Sequence, residues 1–209
     1  MNAGDTEIKD SYLTPDGTVE YKFTIKGSKF IGWCAPADNE QTAQQLIKER
    51  SRQHHSATHN CWAYRVGNPA DPVERSSDEG EPSGTAGRPI LEQIRKANLV
   101  DAVLVVSRWF GGTKLGKGGL IRAYGECAAE TIKLLKTIER KPTAQIEIEC
   151  GYELVGLVER IAARFGGYVC NRDFTDNARL QVKIPLEKTK EFRKALTEES
   201  AGRIEITGN

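Results

Sequence analysis

The stretch Ala102-Val-Leu-Val-Val-Ser-Arg-Trp-Phe-Gly-Gly-Thr-Lys-Leu-Gly-Lys-Gly-Gly-Leu-Ile-Arg122 decides the fold. Its first five residues are an unbroken apolar run of strand length, the pattern of a strand buried on both faces. Five glycines follow within the nine residues Gly111 to Gly119. Beyond them Leu120, Tyr124, Cys127, Thr131, Leu134 and Ile138 recur every three or four positions, which predicts a long amphipathic helix ending near Lys141-Pro142. The stretch therefore reads strand, glycine-rich junction, helix. A glycine cluster is favoured where the chain takes positive φ or brings its backbone close to something else. Lys114, Lys117 and Arg122 suggest that this something is an anion.

Working towards the N-terminus, Pro89 suits the first turn of a short helix with Ile90, Leu91 and Ile94 on one side. Residues 67–87 are rich in Pro, Ser, Asp, Glu and Gly and read as a long loop. His59 to Val66 reads as a strand, Asn39 to Gln53 as a helix, and Val19 to Ile25 with Lys29 to Ala35 as a hairpin turning at Lys26-Gly27-Ser28. Residues 1–17 read as an N-terminal tail and 18–141 as the first domain.

A second unit over 143–209 has the order strand, helix, strand, strand, helix, strand. Its elements are Ala144 to Cys150, Leu154 to Phe165, Tyr168 to Phe174, Ala178 to Ile184, Leu186 to Leu196 and Arg203 to Ile206. That order predicts a ferredoxin-like, split βαβ sandwich, so the fold class is α+β in two domains.

Composition narrows the function. Hydrophobic content of 38% with 28% charge suits a globular chain, and no stretch reaches the roughly 20 apolar residues of a membrane helix. The polar, acidic N-terminus does not read as a secretory signal, which points to a cytoplasmic protein without a membrane partner. Cys34, Cys61, Cys127, Cys150 and Cys170 are odd in number and form no Cys-x-x-Cys pair, the pattern of reduced thiols. Net charge is only +1, but residues 88–142 carry 11 basic against 5 acidic groups, while 1–87 carry 9 against 13 and 143–209 carry 10 against 11. The positive charge is concentrated around the glycines, where a local field collects phosphates.

Gly111 to Lys117 nearly forms a Walker A loop, but Gly118 stands where a Ser or Thr hydroxyl would hold magnesium. The junction then reads in two ways: as a phosphate-binding helix start without hydrolysis, or as glycines that only permit close helix-to-sheet packing. Arg108-Trp109-Phe110 places a guanidinium beside two aromatics, suited to base stacking if one ring escapes the core. His59 and Cys61 share a strand face, but no paired motif adds ligands to them, so neither a metal nor a cofactor is expected. The acidic stretch Ser76 to Gly87 offers carboxylates, with Asp78 and Glu81 as candidates. No side chain reads as an activated nucleophile.

His59-Asn-Cys-Trp-Ala-Tyr64, Ser77-Asp-Glu-Gly-Glu-Pro-Ser-Gly-Thr-Ala-Gly87 and Val105 to Leu120 together resemble the signature of the YigZ/IMPACT family over about residues 18–138. The tail is similar to the accessory C-terminal domain of bacterial members. The resemblance implies a first domain like the second domain of ribosomal protein S-five and a second like domains of elongation factor G. Eukaryotic members are associated with translational control through competition for a regulator of a stress kinase, but they carry an extra N-terminal recognition domain, so that part of the function is not carried over to these residues. The expected function is a non-enzymatic RNA- or ribosome-associated protein acting in translation regulation. Arg108, Gly111, Gly112, Lys114, Gly116, Lys117, Gly118, Gly119 and Arg122 would bind phosphate, and His59, Asp78 and Glu81 would shape the cleft wall. The alternative is a small-molecule or nucleotide-binding enzyme using His59, Asp78, Glu81 and Arg108.

Overall fold

A computed structural model describes residues 11–207. The chain divides into two compact units, Met1–Arg140 and Lys141–Asn209, each a mixture of helices and strands. In the first unit the order is β1 (Tyr12–Pro15), β2 (Val19–Ile25), β3 (Ser28–Pro36), α1 (Glu40–Gln53), β4 (His59–Val66), β5 (Val73–Ser77), α2 (Gly87–Lys96), β6 (Ala102–Trp109), α3 (Gly116–Lys133) and β7 (Thr137–Arg140).

The apolar run that opens the sequence analysis becomes the central strand of a five-stranded antiparallel sheet ordered β2-β3-β6-β4-β5. Strand alternation sends its side chains to opposite faces, and each face has its own core. On one, Leu104 and Val106 pack with Phe30 and Cys61 beneath Ile90 and Ile94 of α2 and Leu120 and Tyr124 of α3. On the other, Val103 and Val105 pack with Tyr64 and Ala35 beneath Ala43 and Ile47 of α1. Helices on both faces explain why β6 carries no polar alternation until Ser107.

The second unit runs β8 (Thr143–Cys150), α4 (Val155–Arg164), β9 (Tyr168–Phe174), β10 (Ala178–Pro185), α5 (Thr189–Glu199) and β11 (Glu205–Ile206). Its antiparallel sheet has the order β11-β8-β10-β9, with α4 and α5 over one face through Val158, Ile161, Phe192 and Leu196.

Three segments differ from the sequence reading. The long loop 67–87 contains β5, a mostly polar edge strand paired to β4, whose partial exposure leaves no apolar alternation to read. The helix expected to run towards Lys141 stops at Lys133, where Leu134 N–H bonds Thr131 O and Leu135 N–H bonds Ile132 O, tightening the last turn. Ile138 keeps the helical spacing but lies on β7, which pairs with β1. Of the expected tail, residues 1–10 lie outside the described residues and Tyr12–Pro15 is strand β1.

The β2-β3 hairpin reaches the glycine junction. At Gly111 an added Cβ would lie 1.8 Å from the carbonyl carbon of Gly27, and one at Gly27 would lie 2.6 Å from Gly111 O, so the two backbones touch only because both residues lack side chains. Gly111→Ala is therefore expected to destabilise the protein by about 3 kcal/mol, at the upper end of overpacking costs. Urea unfolding measures it, and an unchanged midpoint would mean that the hairpin swings away freely.

Candidate nucleic-acid interface

The start of α3 is built by division of labour among the glycines. Gly111 accommodates the hairpin, while Gly112 (φ +87) and Gly116 (φ +72) take left-handed conformations that turn the chain from sheet to helix. Gly118 is different. It meets no steric limit, since a Cβ there would find only Arg122 Nη1 at 3.7 Å. Gly119 is also helical, its Cβ position 3.1 Å from that of Leu115.

Lys114, Lys117 and Arg122 are exposed, and none takes part in an ion pair among the described residues. The first turn of α3 contains no acid, and Leu115 gives it no side-chain cap. The positive end of the helix dipole thus carries further positive charge, the reverse of what stabilises a helix start. Lys26 and Lys29 of the hairpin are exposed beside it, brought there by the contact of Gly27 with Gly111. Phe110 is 47% exposed.

The helix start of α2 is the opposite case. The residue before it, Ala86, has no capping side chain, and Asp78 reaches across instead: Oδ1 accepts from Ala86 N–H and Gly87 N–H, both at 2.9 Å, and Oδ2 from Gly84 N–H at 2.8 Å. Partial burial alone would raise the Asp78 pKa, but these backbone donors outweigh it and hold the carboxyl below its ordinary range.

Arg108, expected at the phosphate, is instead 5% exposed beneath the loop. Its Nη1 donates to Glu81 Oε1 at 2.6 Å and its Nη2 to Ser28 Oγ at 3.4 Å. The same Glu81 oxygen accepts from Tyr124 O–H at 2.8 Å, and His59 Nε2 lies 3.9 Å away. The reason is alternation: Arg108 shares its face with Leu104 and Val106 and so points into the core between sheet and α3. His59 meets Glu79 O through Nδ1 at 2.8 Å, and Cys61 Sγ donates to Asp78 O at 2.9 Å. Burial pushes the Cys61 thiol up to about 12, which leaves no thiolate nucleophile at neutral pH.

The sequence candidates thus separate into two groups. Lys114, Lys117, Arg122 and the glycines form an open cationic surface, whereas His59, Asp78, Glu81 and Arg108 knit the acidic loop to β4, β6 and α3. Tyr124 and Ser28 were not singled out from sequence, although a buried Tyr hydroxyl calls for a partner. Among the described residues no group of three His, Cys, Asp or Glu side chains is placed to hold a metal, and no helix is long and apolar enough to cross a membrane.

Fold and surface together define a two-domain α+β protein with an uncapped, cationic helix start beside a folded acidic clamp. Residues 26–132 match the family model described as the Impact N-terminal domain, and residues 148–203 match a domain of unknown function, DUF1949. The chain is 36% identical to the IMPACT family member YvyE of Bacillus subtilis (strain 168), over 94% of this chain and 90% of that one. It is 32% identical to the IMPACT family member YigZ of Escherichia coli (strain K12), over 94% and 97%. A crystal structure described as that of a hypothetical protein superposes with a TM-score of 0.77 at 30% identity, covering 96% of this chain and 98% of the other. The chain belongs to the IMPACT family.

Two outcomes follow for the clamp. Glu81→Ala leaves the Arg108 charge buried without its partner and is expected to lower stability by about 3 to 5 kcal/mol in chemical denaturation. Adding Arg108→Met to Glu81→Leu should recover most of it. Asp78 has a folded pKa below its unfolded value, so its stabilisation is complete above about pH 4 and fades as the pH falls further. The stability gap between the parent chain and Asp78→Asn, measured by urea titration, should therefore be full at pH 7 and shrink below about pH 4. A gap constant with pH would contradict the capping role.

Proposed function

We propose that this chain is a non-enzymatic, cytoplasmic RNA- or ribosome-associated protein with a part in translation regulation, and that it contacts the phosphate backbone at the start of α3. The carrying observation is electrostatic. Lys114, Lys117 and Arg122 surround a helix N-terminus that has neither an acidic residue nor a side-chain cap, an arrangement unfavourable in isolation and favourable once an anion arrives.

Gly118 supports the same reading. Its lack of a side chain answers no packing demand, yet it leaves the first-turn amides open to close approach. The Arg122 guanidinium lies beside it, ready for a second oxygen of the same phosphate. Phe110 and the lysines of the hairpin extend the surface with a ring and further charges. Arg108 is not part of this contact surface; it supports the surface from below.

The finer fold assignment belongs with this reading. We assign the first unit to the type of the second domain of ribosomal protein S-five and the second to the ferredoxin-like type found in elongation factor G. The strand order β11-β8-β10-β9 with both helices on one face supports the latter.

Fluorescence anisotropy with single-stranded RNA and with ribosomes, across a salt series, tests the proposal. Lys114→Ala with Lys117→Ala is expected to weaken binding and to reduce the slope of log affinity against log salt by about 1.4, from two phosphate contacts at about 0.7 each. Gly118→Ala is expected to weaken binding while leaving the helix unharmed or stabler by about 0.5 to 1 kcal/mol. Affinity indifferent to salt and to these substitutions would rule out phosphate contact.

A further inference from the structure

All three tryptophans of the chain stand on the α1 face of the five-stranded sheet. Trp33 and Trp62 flank Val105 from β3 and β4, and Trp109 shares the β6 face of Val105 and Ser107. α1 covers only part of this face. Its end at His54 leaves Trp109, Lys29 and Lys22 at the margin.

His54 is held there by a closed hydrogen-bond circuit. Its Nδ1 is 2.8 Å from Ser107 Oγ, Ser107 donates to Asn60 Oδ1 at 2.6 Å, and Asn60 Nδ2 donates back to the His54 carbonyl at 3.3 Å. The last bond fixes which end of the Asn60 amide accepts. Ser107 is fully buried and has a single proton, already given to Asn60. Nδ1 must then carry hydrogen and donate to Ser107, which leaves the lone pair of the neutral ring on Nε2.

The surroundings keep the ring neutral. Burial, then the charge of Arg50, with Lys29 and Lys22 adding to it, lowers the His54 pKa against the opposing pull of Glu20. The His54 side chain is half-buried at the edge of this face, and among the described residues no group hydrogen-bonds Nε2.

An acceptor is thus presented amid cations. The His54 ring meets Trp109 edge-on at 5.2 Å between centroids, Trp109 Nε1 donates to Ser56 Oγ at 3.2 Å, and Lys29 Nζ lies 5.1 Å from the Trp109 ring centre. Lys22 pairs with Glu20 at 2.8 Å on the same face. Phosphate oxygens satisfy lysines but offer nothing to an acceptor, and the ligand that joins anion, planar ring and hydroxyl donor is a ribonucleotide chain.

We propose that His54 Nε2 accepts a hydrogen bond from a ribose 2′-hydroxyl of single-stranded RNA, beside a base on Trp109 and phosphates at Lys22 and Lys29. The base takes the position over the ring that the Lys29 ammonium occupies in this structure. This inference rests on the RNA association proposed above and adds to it a means of distinguishing RNA from DNA.

Anisotropy with oligouridylate and oligodeoxyuridylate of equal length tests it. The parent protein should bind the RNA about three- to tenfold more tightly, the worth of one net hydrogen bond. His54→Ala should remove that preference with the DNA affinity unchanged, and Lys114→Ala with Lys117→Ala should weaken both and keep the ratio. An absent preference, or equal losses on RNA and DNA in His54→Ala, overturns the sugar contact alone. Failure of both oligonucleotides to bind overturns the phosphate reading with it. Nitrogen-15 NMR of the parent protein provides a readout independent of the variant's folding: a protonated Nε2 at pH 7 also overturns the proposal.

Discussion

A buried ion pair holds the first unit in its working shape. Arg108 and Glu81, 5% and 8% exposed, meet at 2.6 Å beneath the acidic loop. Each charge is tolerated in the core only because the other is present and polar neighbours satisfy part of what remains, Tyr124 on the carboxylate and Ser28 on the guanidinium. Four elements are tied at this point: the loop after β5, the end of β6, the side of α3 and the turn of the β2-β3 hairpin. The pair thereby fastens α3, through Tyr124, to the loop and the sheet.

The loop itself illustrates how an acidic segment is consumed by structure. Asp78 serves the backbone of Gly84, Ala86 and Gly87, and Glu79 accepts from Trp62 Nε1 and Ser77 Oγ. With its carboxylates so engaged, the loop caps α2 and is tied to β4. The two helix starts of the first unit then diverge in chemistry: α2 is closed by a carboxylate from the same chain, and α3 begins with neither a side-chain cap nor an acidic residue in its first turn.

The faces of the sheet divide the polar residues along β6. Arg108 goes to the α3 side and supports the glycine junction, whereas Ser107 and Trp109 go to the α1 side and orient His54. The two sides meet at the rim, where Gly27 touches Gly111 and the hairpin lysines lie beside the junction. Three consecutive residues therefore serve two surfaces, a direct result of the two-residue period of a strand.

Most of the secondary structure was legible because its periodicity is strong: Ala102 to Val106 as a strand with helices on both sides, Leu120 to Thr131 as a helix, and the strand and helix order after residue 143. The strands at Tyr12–Pro15, Val73–Ser77 and Thr137–Arg140 were not, since short edge strands take their stability from backbone pairing and leave little mark on side-chain pattern. At the candidate surface, Lys114, Lys117 and the glycines could be named from local spacing alone. The sequence by itself determined the α+β class, the concentration of positive charge and the junction that carries it. Only the tertiary structure decided that Arg108 pairs with Glu81, that Asp78 caps α2 from nine residues before it, and that His54 meets Ser107, because each depends on a partner distant in sequence, from nine residues for Asp78 and Gly87 to 53 for His54 and Ser107.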